Sequence, residues 1–570
     1  MSESSAKPPR VKADQLPQQA WPNVWSDGQL MGFSGLEGPT PWDTMPSFST
    51  LAEPVGLQLR LPAALSGTML IEGMDQLQWK VVLGDVAEGR AATGDVGLVM
   101  IDALTLMGQL PPSAALTFDG EVVEPRLRRE CDDVRLDMHR RGERFVFRVS
   151  HTDQAQASDF DALLATPWEH AVEARKAFYR GLTLPGGLSV DEQRLYLKAA
   201  SVLKINVMSP GEISDCRWTT PDRWPHRVMA LWDSVFHALG WMHLDPSVAR
   251  DAIDAMLQHV QDDGFLTHLI SPIYQSPHTQ PPVLAYGVWQ VHQAEANLDW
   301  LAASIDPIER HLKWIEQHRD PRGTGLYGWL VQDKPNCRCG ESGLDNTPPL
   351  DLANPDNPPD APDLSAYVAH AYQHAAKIRR ALGDESTADA HDLRAAQITQ
   401  RISEQLWSAK AGFLLFRDPQ GRLIEVKTIA GFMGLLTDLP DRQAAVLAGH
   451  LNNPQTFGSS VPIATTAIDE PVFCKDMWRG PVWMNANELV RIGLQRHRMR
   501  FEAENIRQRC VRELSRWYES KGCLYEFYDC MGTTPPHDLD RKQRLTTGKG
   551  MAPIEDYGWT AAMAIRCLES

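Results

Sequence analysis

The hydrophobic period of this 570-residue chain changes near Asp159, and that change restricts the available folds more than any other feature. From about residue 50 to 150, short apolar segments alternate with polar positions, as in Thr68-Met69-Leu70-Ile71, Val134-Arg135-Leu136-Asp137-Met138 and Phe145-Val146-Phe147-Arg148-Val149. Clusters of Gly, Pro and Asp separate them, and period-2 runs with that punctuation predict an antiparallel β domain, a sandwich. Ala162 to Tyr179 has a helical period and suits a linker helix. Beyond Leu188 the spacing predicts about a dozen helices: 191–206, 226–242, 246–260, 284–302, 307–318, 363–382, 388–407, 424–436, 441–451, 482–494, 501–519 and 559–568. Successive helices of this kind suggest six α-hairpins closed into a toroid, an (α/α)6 barrel, although periodicity alone equally allows an irregular bundle. The expected organisation is mainly α. A β-rich domain with a flexible N-terminal arm spans 1–160, a linker helix 161–188, and the barrel 189–570.

Charge removes the first function classes. With 56 Lys and Arg against 73 Asp and Glu, the chain carries a formal charge of −17 and has no Lys/Arg block to displace counterions from a polyanion. Nucleic acid and anionic membrane surfaces are therefore not expected partners. Met1 to Gln19 lacks the apolar core of a signal peptide, and no apolar run is long enough to span a bilayer. Nine cysteines, an odd number in a large chain, suggest reduced thiols in a cytoplasmic protein. Cys337-Arg338-Cys339 lacks a second pair at metal-ligand spacing and reads as a loop with two incidental thiols.

Several signatures are coincidental. Gly323-Thr324-Gly325-Leu326-Tyr327-Gly328 has the dinucleotide spacing, but no strand precedes it and no helix follows. Ser201 and Lys204 have the spacing of a Ser/Lys nucleophile pair inside an amphipathic helix, where that spacing is common. His226, His237 and His243 lack the pairing of a zinc helix and read as core or groove histidines.

Two long loops, Asp320 to Pro362 and Ser520 to Asp556, hold denser chemistry. Trp232-Asp233, Trp289, Trp329, Trp478 to Trp483, Tyr525 to Tyr528 and Trp559 fall near helix ends. Trp and Tyr offer flat faces to the C–H side of a sugar, while Asp, Gln and Arg hydrogen-bond its hydroxyls; the same residues also fill ordinary cores. Hydrolysis of a glycosidic bond generally takes one protonated and one ionised carboxyl group. Asp345 and Glu526 are the best pair, each on a long loop among aromatics and Gly, surroundings expected to raise the pKa of one of them by desolvation.

At these residues the chain resembles glycoside hydrolase family 63. The likeness is to its shorter bacterial members, such as mannosylglycerate and glucosylglycerate hydrolases, and to the catalytic domain of processing α-glucosidases. The matching stretches are Leu231 to Ala238, Asp263 to His268, Gln280 to Ala285, Glu341 to Pro348, Trp478 to Asn485, Leu524 to Asp529 and Gly558 to Ala562, in the family's order across about 340 residues. The resemblance implies an (α/α)6 barrel, often after a β-sandwich-like domain, and inverting hydrolysis of a small α-glucoside or α-mannoside. It makes Asp345 the general acid and Glu526 the general base, with the carboxyl groups roughly 6.5–9.5 Å apart. Trp232, Asp233, Gln280, Arg479 and Trp483 match residues lining the sugar pocket, with His268, Glu341 and Trp559 beside them.

Two segments depart from the family pattern. Gly340 stands where an aromatic residue is usual, within Lys334-Pro335-Asn336-Cys337-Arg338-Cys339. After Asp529 the chain runs through Thr533-Thr534-Pro535-Pro536-His537 to Lys549-Gly550 instead of a short Asn-Pro turn. Both flank the candidate carboxylates and bear on the leaving group. In the N-terminal region, Trp21 to Trp25 and Gly35 to Trp42 either reach toward the barrel or pack on their own domain. No cofactor is implied, and neither carboxylate needs a metal. The acidic stretch Asp351 to Asp363 offers oxygen ligands of the kind calcium takes, in a composition that more often marks a solvated loop. The alternatives are a trehalase- or rhamnosidase-like glycosidase, a lyase or epimerase, and a noncatalytic sugar-binding protein. Oligomeric state does not follow from the composition.

Overall fold

Alternation builds two antiparallel sheets. In the strand Val134–Arg141, Val134, Leu136 and Met138 are buried, and its register with Arg144–His151 sets Leu136 opposite Val149 and Met138 opposite Phe147. The seven-stranded sheet runs in the order Arg126–Cys131, Val134–Arg141, Arg144–His151, Thr105–Gln109, Gly94–Asp102, Val86–Ala91, Gln78–Val82. The six-stranded sheet runs Glu121–Val122, Ala115–Phe118, Gly67–Glu72, Gly56–Arg60, Ser47–Leu51, Leu30–Met31. Phe147 of the first sheet meets Phe48 and Phe118 of the second at ring-centroid distances of 5.3 and 6.4 Å, so the two inner faces share one apolar core. On the other face of the same strand, Asp137 is buried where Arg128 and Arg135 meet its carboxylate at 2.7 and 2.8 Å.

The computed structural model describes residues 9–61, 65–152, 160–334, 336–548 and 551–570. The first eight residues of the expected arm, the change of period at Asp159, Pro335 and Lys549-Gly550 lie outside the described residues. Contacts divide the chain into two units. The first comprises Met1–Arg227, Leu514–Leu524 and Glu555–Ser570, and the second Val228–Glu513 and Tyr525–Ile554.

The first unit is the antiparallel-sheet part, with helices Phe160–Ala165, Trp168–Gly181, Val190–Ile205 and Gly558–Leu568. The expected single linker helix is two helices, interrupted at Pro167, which has no N–H to donate and cannot continue the turn. Trp168 packs directly on the sheet: a Cβ at Gly97 would lie 2.1 Å from its Cζ2. Trp25 stacks on Trp79 at 4.3 Å and donates to the Leu51 carbonyl at 2.8 Å, so this stretch packs within its own unit. The Gly35 N–H likewise bonds the Val207 carbonyl at 2.8 Å.

The second unit is helical. Its main helices are Leu231–Leu244, Pro246–Leu257, Leu284–Ala294, Leu298–His318, Pro362–Ala381, Glu385–Gln405, Asp441–Asn452 and Met484–Arg496. Leu231–Leu244 packs on Pro246–Leu257, and Pro362–Ala381 on Glu385–Gln405, as sequence-adjacent hairpins. Two expectations are corrected here. The segment read as one helix over 284–302 breaks at Glu295 to Asn297, where Asn297 caps a new helix by accepting from the Trp300 N–H at 2.9 Å; that helix continues through Pro307. The stretch 424–436 is helical only as a 3-10 run over Ile429–Leu436. All eight of its side chains or glycines are buried, so it presents no polar face to lend a helical period.

Candidate active site

Every residue of the expected site except Trp559 lies in the second unit. Trp559 belongs to the first, in helix Gly558–Leu568, edge-on to Tyr557 at 4.8 Å.

The site begins at the first turn of Leu231–Leu244. The Leu231 N–H bonds the His268 carbonyl at 3.0 Å, and the Trp232 N–H bonds Gln280 Oε1 at 3.1 Å, which brings Trp232, Asp233, His268 and Gln280 to one place. Burial lowers His268 to about 4, so its ring is neutral at neutral pH. An aromatic chain leads onward. Trp232 lies 6.3 Å from Trp478, Trp478 stacks on Trp483 at 3.8 Å and 8°, and Trp483 meets Phe527 at 4.8 Å. This chain ends beside Glu526. The Val482 and Tyr528 backbones exchange hydrogen bonds at 2.7 and 3.0 Å and hold that end in register.

Asp345 leaves a tight turn over the same tryptophan. The 3-10 turn Gly340–Ser342 ends at Gly343, whose φ of 72° is left-handed; a Cβ there would stand 2.2 Å from Trp232 Cζ2. Glu341 braces this turn from beneath. It is 1% exposed, and its two oxygens accept from Arg319 Nε at 2.8 Å and the Leu330 N–H at 3.1 Å. Burial raises its pKa against the pull of Arg319. Beyond Asp345, Asn346 accepts from the Trp478 N–H at 3.0 Å, and Arg479 grips the Asn346 carbonyl at 3.1 Å while forming a two-pronged pair with Asp351 at 2.8 and 2.7 Å. Arg479 and Asn346 also line a cavity of about 760 Å3 with Cys337, Arg338, Asp476 and Asp540.

Both carboxylates meet cations that the sequence did not reveal. The Asp345 side chain, 17% exposed, pairs with Lys542 Nζ at 2.7 Å and accepts from Cys337 Sγ at 3.4 Å. Glu526, 2% exposed, receives Arg541 through Nε at 2.9 Å and a second guanidinium nitrogen at 3.2 Å, and its Oε2 also takes the Ile554 N–H at 3.3 Å. The rise by desolvation expected of one of the two carboxyls is not met at Asp345. Burial pushes it up, but Lys542, Cys337 and Arg541 together hold it below the usual aspartate value. No local pattern flags Arg541 and Lys542; the segment's only sequence signal is its departure from the family pattern.

Several buried polar atoms lack a protein partner among the described residues: Trp478 Nε1, Asn346 Nδ2 and both side-chain polar atoms of Asn485. Such atoms are uncommon in folded interiors. No cluster of three or more His, Cys, Asp or Glu able to hold a metal occurs among the described residues. Nor is any described helix long and apolar enough to cross a membrane. In the acidic stretch, Asp360 is taken by Arg417 at 2.7 Å and by Arg322.

Known proteins resemble this chain in sequence and, over part of its length, in fold. The chain is 24% identical over 448 residues to a mannosylglycerate hydrolase of Thermus thermophilus, covering 65% of this chain and 99% of that one. It is also 24% identical to a mannosylglycerate hydrolase of Rubrobacter radiotolerans, covering 62% and 94%. The crystal structure of a GH63 mannosylglycerate hydrolase from Thermus thermophilus in complex with glucose superposes with a TM-score of 0.53 at 23% identity, over 65% of this chain and 99% of that one. The protein is a glycoside hydrolase. Residues 226–560 match the mannosylglycerate hydrolase MGH1-like glycoside hydrolase domain, and the chain belongs to that family, within the wider likeness to glycoside hydrolase family 63.

Proposed function

We propose that the protein hydrolyses a small α-glucoside or α-mannoside with inversion, with Asp345 as general acid and Glu526 as general base. The observation that carries this reading is the aromatic chain from Trp232 to Phe527. It links the loop before one carboxylate to the residue after the other and is fringed by buried polar atoms that lack partners. Stacked indoles suit the C–H face of a sugar, and unpaired amide and indole donors suit its hydroxyls. Asp345 protonates the leaving oxygen, while Glu526 takes a proton from the water that attacks the opposite face of the ring. Trp232, Asp233, His268, Gln280, Arg479 and Trp483 shape the pocket, Glu341 stiffens the acid's loop, and Trp559 completes the set by resemblance. The helical hairpins of the second unit support an (α/α)6 arrangement, and nine cysteines free of disulfides suit a cytoplasmic setting.

One observation favours a second reading, a sugar-binding protein without turnover: Asp345 is already ion-paired with Lys542 and so lacks the proton an acid donates. A proton NMR time course on α-mannosides and α-glucosides, beginning with mannosylglycerate because the relatives are named for it, separates the two. Release of the β-anomer first, abolished in Asp345→Asn and Glu526→Gln, is the expected outcome. The α-anomer appearing first would remove the base role of Glu526, and binding without product would favour the second reading.

A further inference from the structure

The described part of the loop that follows Glu526 is tied down by buried or half-buried aspartates. Asp529 gathers Lys475 Nζ at 2.8 Å and the N–H groups of Met531, Thr533 and Thr534 at 3.1, 3.0 and 2.9 Å, which folds the chain back on itself. Farther on, Asp476 receives the N–H groups of Lys542 and Gln543 at 2.7 and 3.2 Å, and Asp540 receives those of Arg541 and Leu545 at 2.9 and 3.0 Å. These bonds keep Lys542 and Gln543 at φ 56° and 59°, a conformation that residues bearing a Cβ avoid unless their surroundings impose it. The adjacent residues Arg541 and Lys542 thus deliver one cation to each carboxylate: Arg541 to Glu526 and Lys542 to Asp345.

We propose that Lys542 is the positioning residue that sets the proton state of Asp345: it keeps the carboxylate ion-paired at rest, and its withdrawal as a sugar enters frees Asp345 to become an acid. The inference rests on the acid role assigned above. Asp345 takes a proton from solvent as Lys542 leaves, and then gives it to the glycosidic oxygen as the bond to the anomeric carbon breaks. Water bonds to that carbon and its proton passes to Glu526, from which it returns to solvent; Lys542 pairs again with the regenerated carboxylate. Arg541 keeps its two-pronged grip on Glu526 throughout and orients it.

A cavity of about 760 Å3 adjoins the pair: its lining includes Cys337, which contacts both Asp345 and Lys542, together with Asp476 and the dipeptide's flanking residues Asp540 and Gln543. Besides Lys542, the Cys337 thiol and the Arg541 guanidinium act on Asp345, and Asp345 in turn acts on His268, which burial keeps neutral. Among the described residues, the cation in direct contact with Asp345 is Lys542.

The test is the pH profile of kcat/KM for wild type, Lys542→Met and Lys542→Arg on a glycoside that the protein turns over, with Lys542→Gln as the substitute should the methionine variant not fold. Without the cation, the limb that Asp345 sets moves upward by at least one pH unit, about a tenfold change in proton occupancy, while the arginine variant keeps the wild-type limb. An unmoved limb in an active methionine variant overturns the proposal, yet leaves the acid assignment intact if Asp345→Asn is inactive. If wild type and the Lys542 variants all leave every substrate intact, the acid assignment and this inference fall together. A second readout needs no substrate: the stability that the ion pair confers on wild type above the unfolded aspartate pKa, and loses as pH falls through the lowered folded value, is expected to vanish in Lys542→Met and in Asp345→Asn. Stability–pH curves of the same shape in all three proteins also overturn the proposal.

Discussion

Replacing Gly343 by alanine tests how tightly the Asp345 turn is moulded to Trp232. Two penalties add. A left-handed φ of 72° costs a residue with a Cβ about 1–2 kcal/mol. The new methyl group would stand 2.2 Å from Trp232 Cζ2 and 2.5 Å from Cη2, and relieving such overpacking costs about 1–3 kcal/mol. The sum is about 2–5 kcal/mol. With an unfolding entropy of about 2.1 cal/mol/K per residue and a cooperative unit of roughly 300 residues, that lowers the melting temperature of the second unit by about 3–8 °C. Calorimetry against Gly340→Ala supplies the internal control. Gly340 lies in the same turn, without a left-handed φ, and its added Cβ would meet only Cys337 Sγ, at 3.9 Å, so its melting temperature stays within about 1 °C of wild type. Trp232→Phe then separates the two penalties, because phenylalanine lacks the indole atoms that clash. In that background Gly343→Ala should retain only the backbone part of its cost, a relief of about 1–3 kcal/mol. Equal melting temperatures for the two alanine variants would refute the argument, and so would a Gly343→Ala cost that Trp232→Phe leaves unchanged.

Arg319→Met strands the Glu341 carboxylate under the turn and is expected to cost about 3–5 kcal/mol at pH 7.5 by denaturant titration. Because burial already raises Glu341, this loss shrinks near pH 4.5 as the carboxyl takes a proton; an equal loss at both pH values would contradict the assignment. Asp363 provides a second pH signature. Burial pushes it up to about 6 while Trp329 Nε1 donates to its Oδ1 at 3.0 Å. Between the unfolded value near 3.8 and about 6, the folded state holds a proton that the unfolded chain has released, so stability falls as pH rises through that window, by about 3 kcal/mol. Asp363→Asn keeps the acceptor for Trp329 and removes the fall; parallel stability curves for wild type and variant from pH 4 to 7 would count against it.

Two helix starts that fall close to expectation carry a local chemical signal. Ser189 and Glu192 form the reciprocal cap of Val190–Ile205, and Asp245 with Pro246 opens Pro246–Leu257. The sheets were legible because alternation over a few residues already states which side faces a core. The unseen breaks have local causes that hydrophobic period masks: Pro167 within an apolar pattern, Asn297 as an unrecognised cap, and an apolar run that is buried on every side. Asp345 and Glu526 stood out by their loops, but the downward direction of the Asp345 shift was not legible, because its ion-pair partner is 197 positions further along the chain.

Taken alone, the sequence determined the succession of a β-rich part and a helical part, the classes of partner that its charge disfavours, and the residues whose spacing resembles a family of glycoside hydrolases. These are properties of short stretches and of overall composition, where the governing interactions act between near neighbours. Only the tertiary structure decided that Lys542 meets Asp345, that Arg541 meets Glu526, and that Trp478 joins Trp232 to Trp483. The charge state of a buried carboxyl depends on whatever lies within a few ångströms, and in this fold those atoms come from segments far apart in the chain.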